Sequence, residues 1–132
     1  GVGMDYTPLH WAVRFKVVPE IVTMLIEAGA NVNEQNEFGS PVLVTAACRG
    51  RTQLVDILLR SGAEINAAVE GSGVTALSCA VSKGHIGAVR LLAGAGADLD
   101  TVDKHGNTPL MIAKNKGVDE IVKILIDAGA TR

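Results

Sequence analysis

A short run of residues built around a Gly-Ala pair returns along this 132-residue chain at an almost constant interval. The copies read "EAGANVN" at 27–33, "RSGAEIN" at 60–66, "GAGADLD" at 94–100 and "DAGATR" at 127–132. The Gly-Ala pairs are therefore 33, 34 and 33 residues apart. A second series, of leucines, keeps this period and comprises Leu9, Leu43, Leu77 and Leu110. Two independent markers with one period predict a solenoid, in which each unit packs on its neighbours.

The start of each unit indicates a short helix. A hydroxyl residue followed by proline is typical of a helix N-cap and first helical position. These pairs are Thr7-Pro8, Thr108-Pro109 and, one residue earlier in its unit, Ser40-Pro41. Small residues on the packed side would let neighbouring helices approach closely, and they are Ala12, Ala46, Ala47, Ala80 and Ala113. We expect Gly50, Gly84 and Gly117 to end these helices in the left-handed conformation.

A second helix is predicted in each unit from a dense apolar run. The runs read "EIVTMLI" at 20–26, "QLVDILL" at 53–59, "GAVRLLA" at 87–93 and "EIVKILI" at 120–126. They are too apolar for a helix with one face in water, which indicates helices sandwiched between neighbouring units. Pro19 is expected to open the first of them. Polar connections containing glycine, such as 33–39 and 100–106, then lead to the next unit.

The motifs "YTPLHWAV" at 6–13 and "NTPLMIAK" at 107–114 resemble the T-P-L-H-x-A signature of the ankyrin repeat. The resemblance implies an all-α repeat solenoid of helix-turn-helix pairs joined by β-hairpin loops. It covers nearly all of one domain, 1–132, as repeats at about 3–35, 36–69, 70–102 and 103–132. Two departures, "RFKVVPE" at 14–20 and "AAVEGSG" at 67–73, each add one residue and should alter loop shape only locally.

Catalytic and cofactor motifs find little support in the sequence. His10 corresponds to Val44, Ser78 and Met111 in the other units, so it is not a repeated ligand. The resemblance implies that its ring hydrogen-bonds to nearby backbone and helps to tie one repeat to the next. "GSGVTA" at 71–76 matches a phosphate-binding pattern but lacks a preceding strand, so we interpret its glycines as turn residues. Cys48 and Cys79 are predicted to be thiols, in keeping with a reducing compartment. No metal or cofactor is expected.

The resemblance implies a non-catalytic module that binds a partner protein or peptide through hairpin tips and the exposed side of the first helices. The candidate partner-binding residues are Met4, Tyr6, Trp11, Arg14, Phe15, Glu37, Phe38, Arg49, Lys83, Lys104, His105 and Lys116. All four aromatic residues lie before residue 39, which favours a hot spot in the first two repeats. The alternatives are that a further segment covers these rings, or that Trp11 packs on its neighbours.

A row of cations runs along the late first-helix position and includes Arg49, Lys83 and Lys116. Cations near a helix C-terminus complement the helix dipole, which is the favoured interpretation of the row, and an acidic partner peptide is the functional alternative. The row leaves nucleic-acid or other acidic-ligand binding as an alternative, which the net charge of -2 opposes. An engineered ankyrin binder is a further alternative. No apolar run approaches the ~20 residues that span a bilayer. The two cysteines fit a reducing compartment, and we expect an intracellular protein of the cytoplasm or nucleus.

Overall fold

A computed structural model of the chain describes residues 8–15 and 18–131. Its helices are α1 (Pro8–Arg14), α2 (Pro19–Glu27), α3 (Val42–Cys48), α4 (Thr52–Arg60), α5 (Ala76–Lys83), α6 (Ile86–Gly94), α7 (Pro109–Lys116) and α8 (Asp119–Asp127). Within these described ranges the β structure is limited to isolated antiparallel bridges, Gln35 with Pro41 and Ala68 with Thr75, in the connections between helix pairs. The arrangement confirms an all-α repeat solenoid.

The helices form two layers. The first helices of the pairs, α1, α3, α5 and α7, pack successively on one another, and the second helices, α2, α4, α6 and α8, do the same. The leucine series and the five alanines predicted for the packed side are all buried between the layers. The apolar runs of the second helices contribute Val22, Leu54, Val55, Leu58, Ala88, Val89, Leu92, Ile121 and Leu125 to the same core. Each buried leucine or isoleucine stabilises the stack by about 1.5–3 kcal/mol.

The helix starts show where the capping predictions hold. Thr108 caps α7, because its hydroxyl accepts a hydrogen bond from the Met111 backbone N–H at 3.2 Å, and proline follows at the first helical position. Thr75 caps α5 in a reciprocal arrangement, since Thr75 Oγ1 accepts from Ser78 N–H and the Thr75 N–H donates to Ser78 Oγ. Sequence reasoning had not singled out this capping box.

The cap predicted at Ser40 is wrong. Pro41 is itself the residue that precedes α3, with extended backbone angles and no side-chain cap bond. It occupies the position of Thr75 and Thr108 in their repeats, so the residue with a hydroxyl comes one position too early. The Val42 N–H is instead satisfied by the backbone carbonyl of Glu34 at 3.1 Å. The remaining cap, at Thr7, lies outside the described residues, whereas Pro19 opens α2 as predicted.

Gly50, just beyond the end of α3, must be glycine for two reasons. Its φ of +68° lies in the left-handed region, and a side-chain carbon there would lie only 2.6 Å from Nδ1 of His85 in the next repeat. The His85 ring occupies this position because its Nε2–H donates to the Cys48 carbonyl at 3.0 Å. The end of α3 is therefore fastened to the following helix pair by a histidine that covers a glycine.

Asparagine side chains also join one repeat to the next, in the segments that follow the second helices. Asn33 Oδ1 accepts from the Glu64 N–H at 2.7 Å, and Asn66 Oδ1 accepts from the Asp98 N–H at 2.8 Å. Each bond runs from one repeat to the next, and the asparagines are 33 residues apart. Because the same hydrogen bond recurs between successive repeats, it holds each pair of neighbouring repeats in the same relative orientation.

The hairpin connections are also joined in series. The Glu70 N–H donates to the Gly39 carbonyl at 3.3 Å, and the Lys104 N–H donates to the Ser72 carbonyl at 2.9 Å. Asp103 shapes the last hairpin by accepting from two backbone N–H groups, and the hydrogen bond from Asn107 is the main cause that lowers the pKa of its carboxyl. The glycines of "GSGVTA" lie at the middle hairpin tip with positive φ, which confirms their interpretation as turn residues.

Candidate functional site

Two cavities open on one surface of the solenoid. We call this surface the first-helix face; it comprises the exposed sides of α1, α3, α5 and α7 with the hairpin tips at 36–40, 69–74 and 103–107. The first cavity has a volume of about 550 Å3 and is lined by Arg14, Asn36, Ser40, Thr45, Cys48, Arg49 and Lys83. The second, of about 540 Å3, is lined by Ser82, Asp103, Asn107, Met111, Ile112, Asn115 and Lys116. No residue of a second helix lines either cavity.

The two cavities differ in charge. Three cations, Arg14, Arg49 and Lys83, line the first cavity, and none of its other lining residues in the described ranges is acidic. The second cavity sets Lys116 against Asp103, so its walls carry opposite charges. The cation row predicted from the sequence is therefore divided between two sites of different electrostatic character. Only the first presents a concentration of positive charge.

An aromatic pair adjoins the first cavity. The ring centroids of Trp11 and Phe15 are 4.9 Å apart with their planes at 42°, a tilted arrangement that favours ring contact. Both rings are accessible, with 50% of Trp11 and 41% of Phe15 exposed. The Arg14 guanidinium carbon lies 5.6 Å from the centre of the Phe15 ring, within range of a cation–π interaction, and Arg14 also lines the cavity. Aromatic and cationic groups thus form one continuous patch.

The remaining predicted residues lie at the hairpin tips. Phe38 is 67% exposed, and Glu37 lies beside it in the same tip. Lys104 and His105 are exposed at the last hairpin. The structure places these four side chains on the first-helix face but outside the lining of both cavities. Met4 and Tyr6 lie outside the described residues.

His10 holds two repeats together. Its ring is buried, and Nε2 shares a hydrogen bond of 3.0 Å with Oγ1 of Thr45 in the next repeat. Burial lowers the pKa of the ring, and the positive charge of Arg14 lowers it further. The neutral ring is therefore favoured at physiological pH, and its hydrogen bond joins α1 to α3. The predicted tie between repeats is confirmed, but this bond runs to a threonine hydroxyl and not to the backbone partner that was expected.

The prediction that both cysteines are thiols is wrong in this structure. Cys48 and Cys79 form a disulfide bond that joins α3 to α5, with their Cα atoms 5.2 Å apart. The first helices of successive repeats pack side by side, so a residue 31 positions further along lies opposite, one helical turn short of the repeat length. Both residues are half-buried, and Cys48 forms part of the first cavity wall.

Several lining residues had no strong signal in the sequence. Asn36, Ser40 and Thr45 complete the first cavity with polar groups, and Met111 with Ile112 supplies the apolar side of the second. In the sequence, only their positions within the repeat indicated that they would lie on the first-helix face. Among the described residues, no three or more His, Cys, Asp or Glu side chains are grouped as a metal site would require. No helix in the described part of the chain has the length and apolar character needed to cross a bilayer.

Comparisons with known proteins identify close similarity to repeat proteins. The family model described as ankyrin repeats (3 copies) matches residues 9–103 and, in an overlapping placement, residues 43–131. The nuclear factor NF-kappa-B p105 subunit of Gallus gallus is 32% identical over 161 aligned residues, which cover 94% of this chain and 16% of that protein. The B-cell lymphoma 3 protein homolog of Mus musculus is 35% identical, with 89% of this chain and 26% of that protein covered.

A shorter relative matches along almost its whole length. The cyclin-dependent kinase 4 inhibitor B of Rattus norvegicus is 35% identical over 126 residues, which cover 95% of this chain and 94% of that protein. The chain therefore spans a small part of the first two relatives and nearly all of the third.

Proposed function

Since this chain belongs to the ankyrin-repeat family, we propose that it is a non-catalytic module that binds another protein or peptide through its first-helix face. Ankyrin repeats generally mediate protein–protein interactions, and the family is typically non-enzymatic. The observation that carries the proposal is the exposed, mutually packed pair Trp11 and Phe15 beside the first cavity. We assign the partner's main contacts to this patch.

The aromatic pair supports a binding role because the equivalent positions of the other repeats hold residues of other types. Trp11 corresponds to Thr45, Cys79 and Ile112, and Phe15 corresponds to Arg49, Lys83 and Lys116. Trp11 stands where the other repeats have smaller, half-buried side chains, and Phe15 stands where they have exposed cations, so both rings add apolar surface that remains in water. Covering such rings at an interface typically contributes about 2 kcal/mol or more each.

The partner in this proposal is a protein segment with acidic character. Arg14, Arg49 and Lys83 line the first cavity and would steer such a segment to the aromatic patch. Nucleic acid is a weaker candidate, since Glu37 and Asp103 interrupt the positive charge on the same face and the net charge is -2. We place the interaction in the cytoplasm or nucleus, where the bond between Cys48 and Cys79 would be reduced and the hydrogen bond from His85 to the Cys48 carbonyl would still join the same two repeats.

Affinity purification with matched variants tests the proposal. We would compare the proteins captured from native cells by the wild type, by Trp11→Ala/Phe15→Ala and by the control Met24→Ala/Ile126→Ala, using quantitative mass spectrometry. The control residues lie on second helices and are 63% and 49% exposed, so apolar surface is removed there as well. Circular dichroism would verify that both variants fold.

We expect specific partners to be depleted by about tenfold or more in the aromatic variant, because losing 1.4 kcal/mol already weakens binding tenfold. The control should retain them. Equal capture by all three proteins, or a greater loss in the control, would contradict binding through the first-helix face.

A further inference from the structure

We propose that the first cavity is the binding site for a phosphorylated serine or threonine side chain of the partner. The inference rests on the proposed function, since it assumes that a protein segment lies along the first-helix face. It goes further by assigning one modified side chain to one cavity. The evidence comes from the charge, the hydrogen-bond donors and the rigidity of the cavity walls.

The charge of the cavity matches a dianion better than a carboxylate. Among the described residues of the lining, Arg49 and Lys83 carry positive charge, Arg14 adds a third cation that also takes part in other interactions, and none is acidic. In the part of the chain that the structure describes, Arg49 and Lys83 take part in neither of the ion pairs, Arg60 with Asp56 and Arg90 with Glu120. A phosphate monoester carries about -1.5 to -2 at neutral pH, whereas a carboxylate carries a single charge.

The lining also supplies the donors that phosphate oxygens require. Guanidinium groups donate in a planar fork that matches phosphate geometry, and the lysine ammonium adds a point charge. The Ser40 hydroxyl adds a donor in the same wall, whereas Thr45 Oγ1 already bonds His10 Nε2 and the Pro41 carbonyl. Asn36 Oδ1 is occupied by the backbone N–H groups of Phe38 and Ser40, so the amide NH2 is the part of this side chain that donates. These groups would contact a phosphate from several sides.

Two cross-links hold the cavity walls in place. The disulfide joins Cys48 in α3 to Cys79 in α5, and the His85 ring donates to the Cys48 carbonyl. Arg49 follows Cys48 directly, and Lys83 ends α5. Cations from two repeats are therefore attached to backbone segments that cannot separate freely. A site whose supporting backbone is fixed before binding is the kind that discriminates between similar anions.

The second cavity provides an internal comparison. It has nearly the same volume, about 540 Å3, and lies on the same face, but it sets Asp103 against Lys116. The two cavities are similar in volume, and they differ in the charge of their walls and in the apolar side that Met111 and Ile112 give the second. A phosphate group should therefore bind at the first cavity and be repelled by the carboxylate of the second.

Chemical-shift titration of the 15N-labelled chain tests the assignment directly. The probes are N-acetyl-O-phosphoserine amide, N-acetylglutamate amide and N-acetylserine amide, at constant ionic strength. We expect saturable shifts of the amides of Thr45, Cys48, Arg49 and Lys83 with the phosphoserine probe. Its affinity should exceed that of the glutamate probe by about fivefold or more, because the additional charge meets the cations of Arg49 and Lys83. The serine probe should cause no saturable shift.

Variants that remove the same charge at different places distinguish binding in the first cavity from general electrostatic attraction to the first-helix face. Arg49→Gln/Lys83→Gln should weaken the phosphoserine probe by about tenfold or more, whereas Lys104→Gln/Lys116→Gln should change it less than about twofold. Both variants remove two positive charges from the first-helix face. Arg14 is left unchanged because its guanidinium also contacts the Phe15 ring.

Three outcomes would overturn the proposal. The glutamate probe could bind as tightly as phosphoserine, which would make the cavity a general carboxylate site. The control variant could lose as much affinity as the cavity variant, or a dT15 oligonucleotide could displace the probe and bind more tightly, which would indicate a nucleic-acid site. The capture experiment with the Trp11→Ala/Phe15→Ala variant does not depend on these results. A failed phosphate site with intact capture would leave the proposed function standing.

Discussion

The disulfide between Cys48 and Cys79 should contribute a large share of the stability of the stack. It joins two helices of neighbouring repeats that would otherwise be connected only by packing and by hydrogen bonds. The perturbation is reduction of this bond in the wild type, or its removal in Cys48→Ser/Cys79→Ser. Both leave the hydrogen bond from His85 to the Cys48 carbonyl in place, so the effect of the covalent link alone is measured.

The magnitude follows from the length of chain that the bond encloses. The cysteines are 31 residues apart. In the chain-entropy model, a closed loop of this size restricts the unfolded chain by an amount equivalent to about 3.7 kcal/mol at 25 °C. Small domains are stable by only about 5–15 kcal/mol in total. With an m-value of about 2 kcal/mol/M, reduction should lower the urea midpoint by about 2 M.

The measurement is urea unfolding followed by circular dichroism, with and without a phosphine reductant. The serine variant is the control, since its midpoint should match that of the reduced wild type and should not respond to the reductant. Mass spectrometry after alkylation would report the bond in each sample. Equal midpoints for oxidised and reduced wild type, with the bond verified in the first, would refute the loop-entropy reasoning.

Changes at His10, Gly50 and Thr108 test other interactions that stabilise the fold, with Gly84 as the comparison for Gly50. Burial holds the pKa of the His10 ring below its ordinary value of 6.5, so the unfolded chain takes up the proton first and stability should fall as pH decreases below about 6.5; urea midpoints at several pH values should show this decline in the wild type but less of it in His10→Gln. Gly50→Ala should destabilise by more than the about 1–2 kcal/mol of a left-handed alanine, because its methyl group would meet the His85 ring. Gly84→Ala, at φ +75° with open space around it, should cost only the smaller amount in the same urea assay. Thr108→Ala should lower the free energy of unfolding by about 1 kcal/mol through loss of its N-cap bond, and an unchanged urea midpoint would contradict that role.

The layered architecture could be predicted from the sequence because each helix pair repeats the same local chemistry. Leu9 and Leu110 hold equivalent buried positions, and Thr108 with Pro109 starts its helix as its residue types predict. Features such as these can be predicted correctly when the interactions that determine them lie within one repeat. The error at Ser40 has the same origin, since a one-residue shift within a repeat moved the hydroxyl out of the cap position.

Interactions between repeats were harder to predict. The bond between Cys48 and Cys79 depends on which turn of α3 lies opposite which turn of α5, and period alone does not give that offset. The same limit applies to the contact of His10 with Thr45, whose residues are 35 positions apart. The exposed positions of Trp11 and Phe15 follow from the register, but a cavity requires side chains from three repeats to meet around a shared space.

The hydrogen bonds between successive hairpins have a consequence for how this surface can change. The Glu70 N–H and the Lys104 N–H both donate to backbone carbonyls of the preceding hairpin, so neither bond depends on the side chain that a tip presents. The exposed rings and charges at Phe38, Lys104 and His105 can therefore be exchanged while the backbone that spaces them stays in place. Recognition and folding are assigned to different atoms of the same residues, which allows the specificity of the tips to diverge without loss of the scaffold.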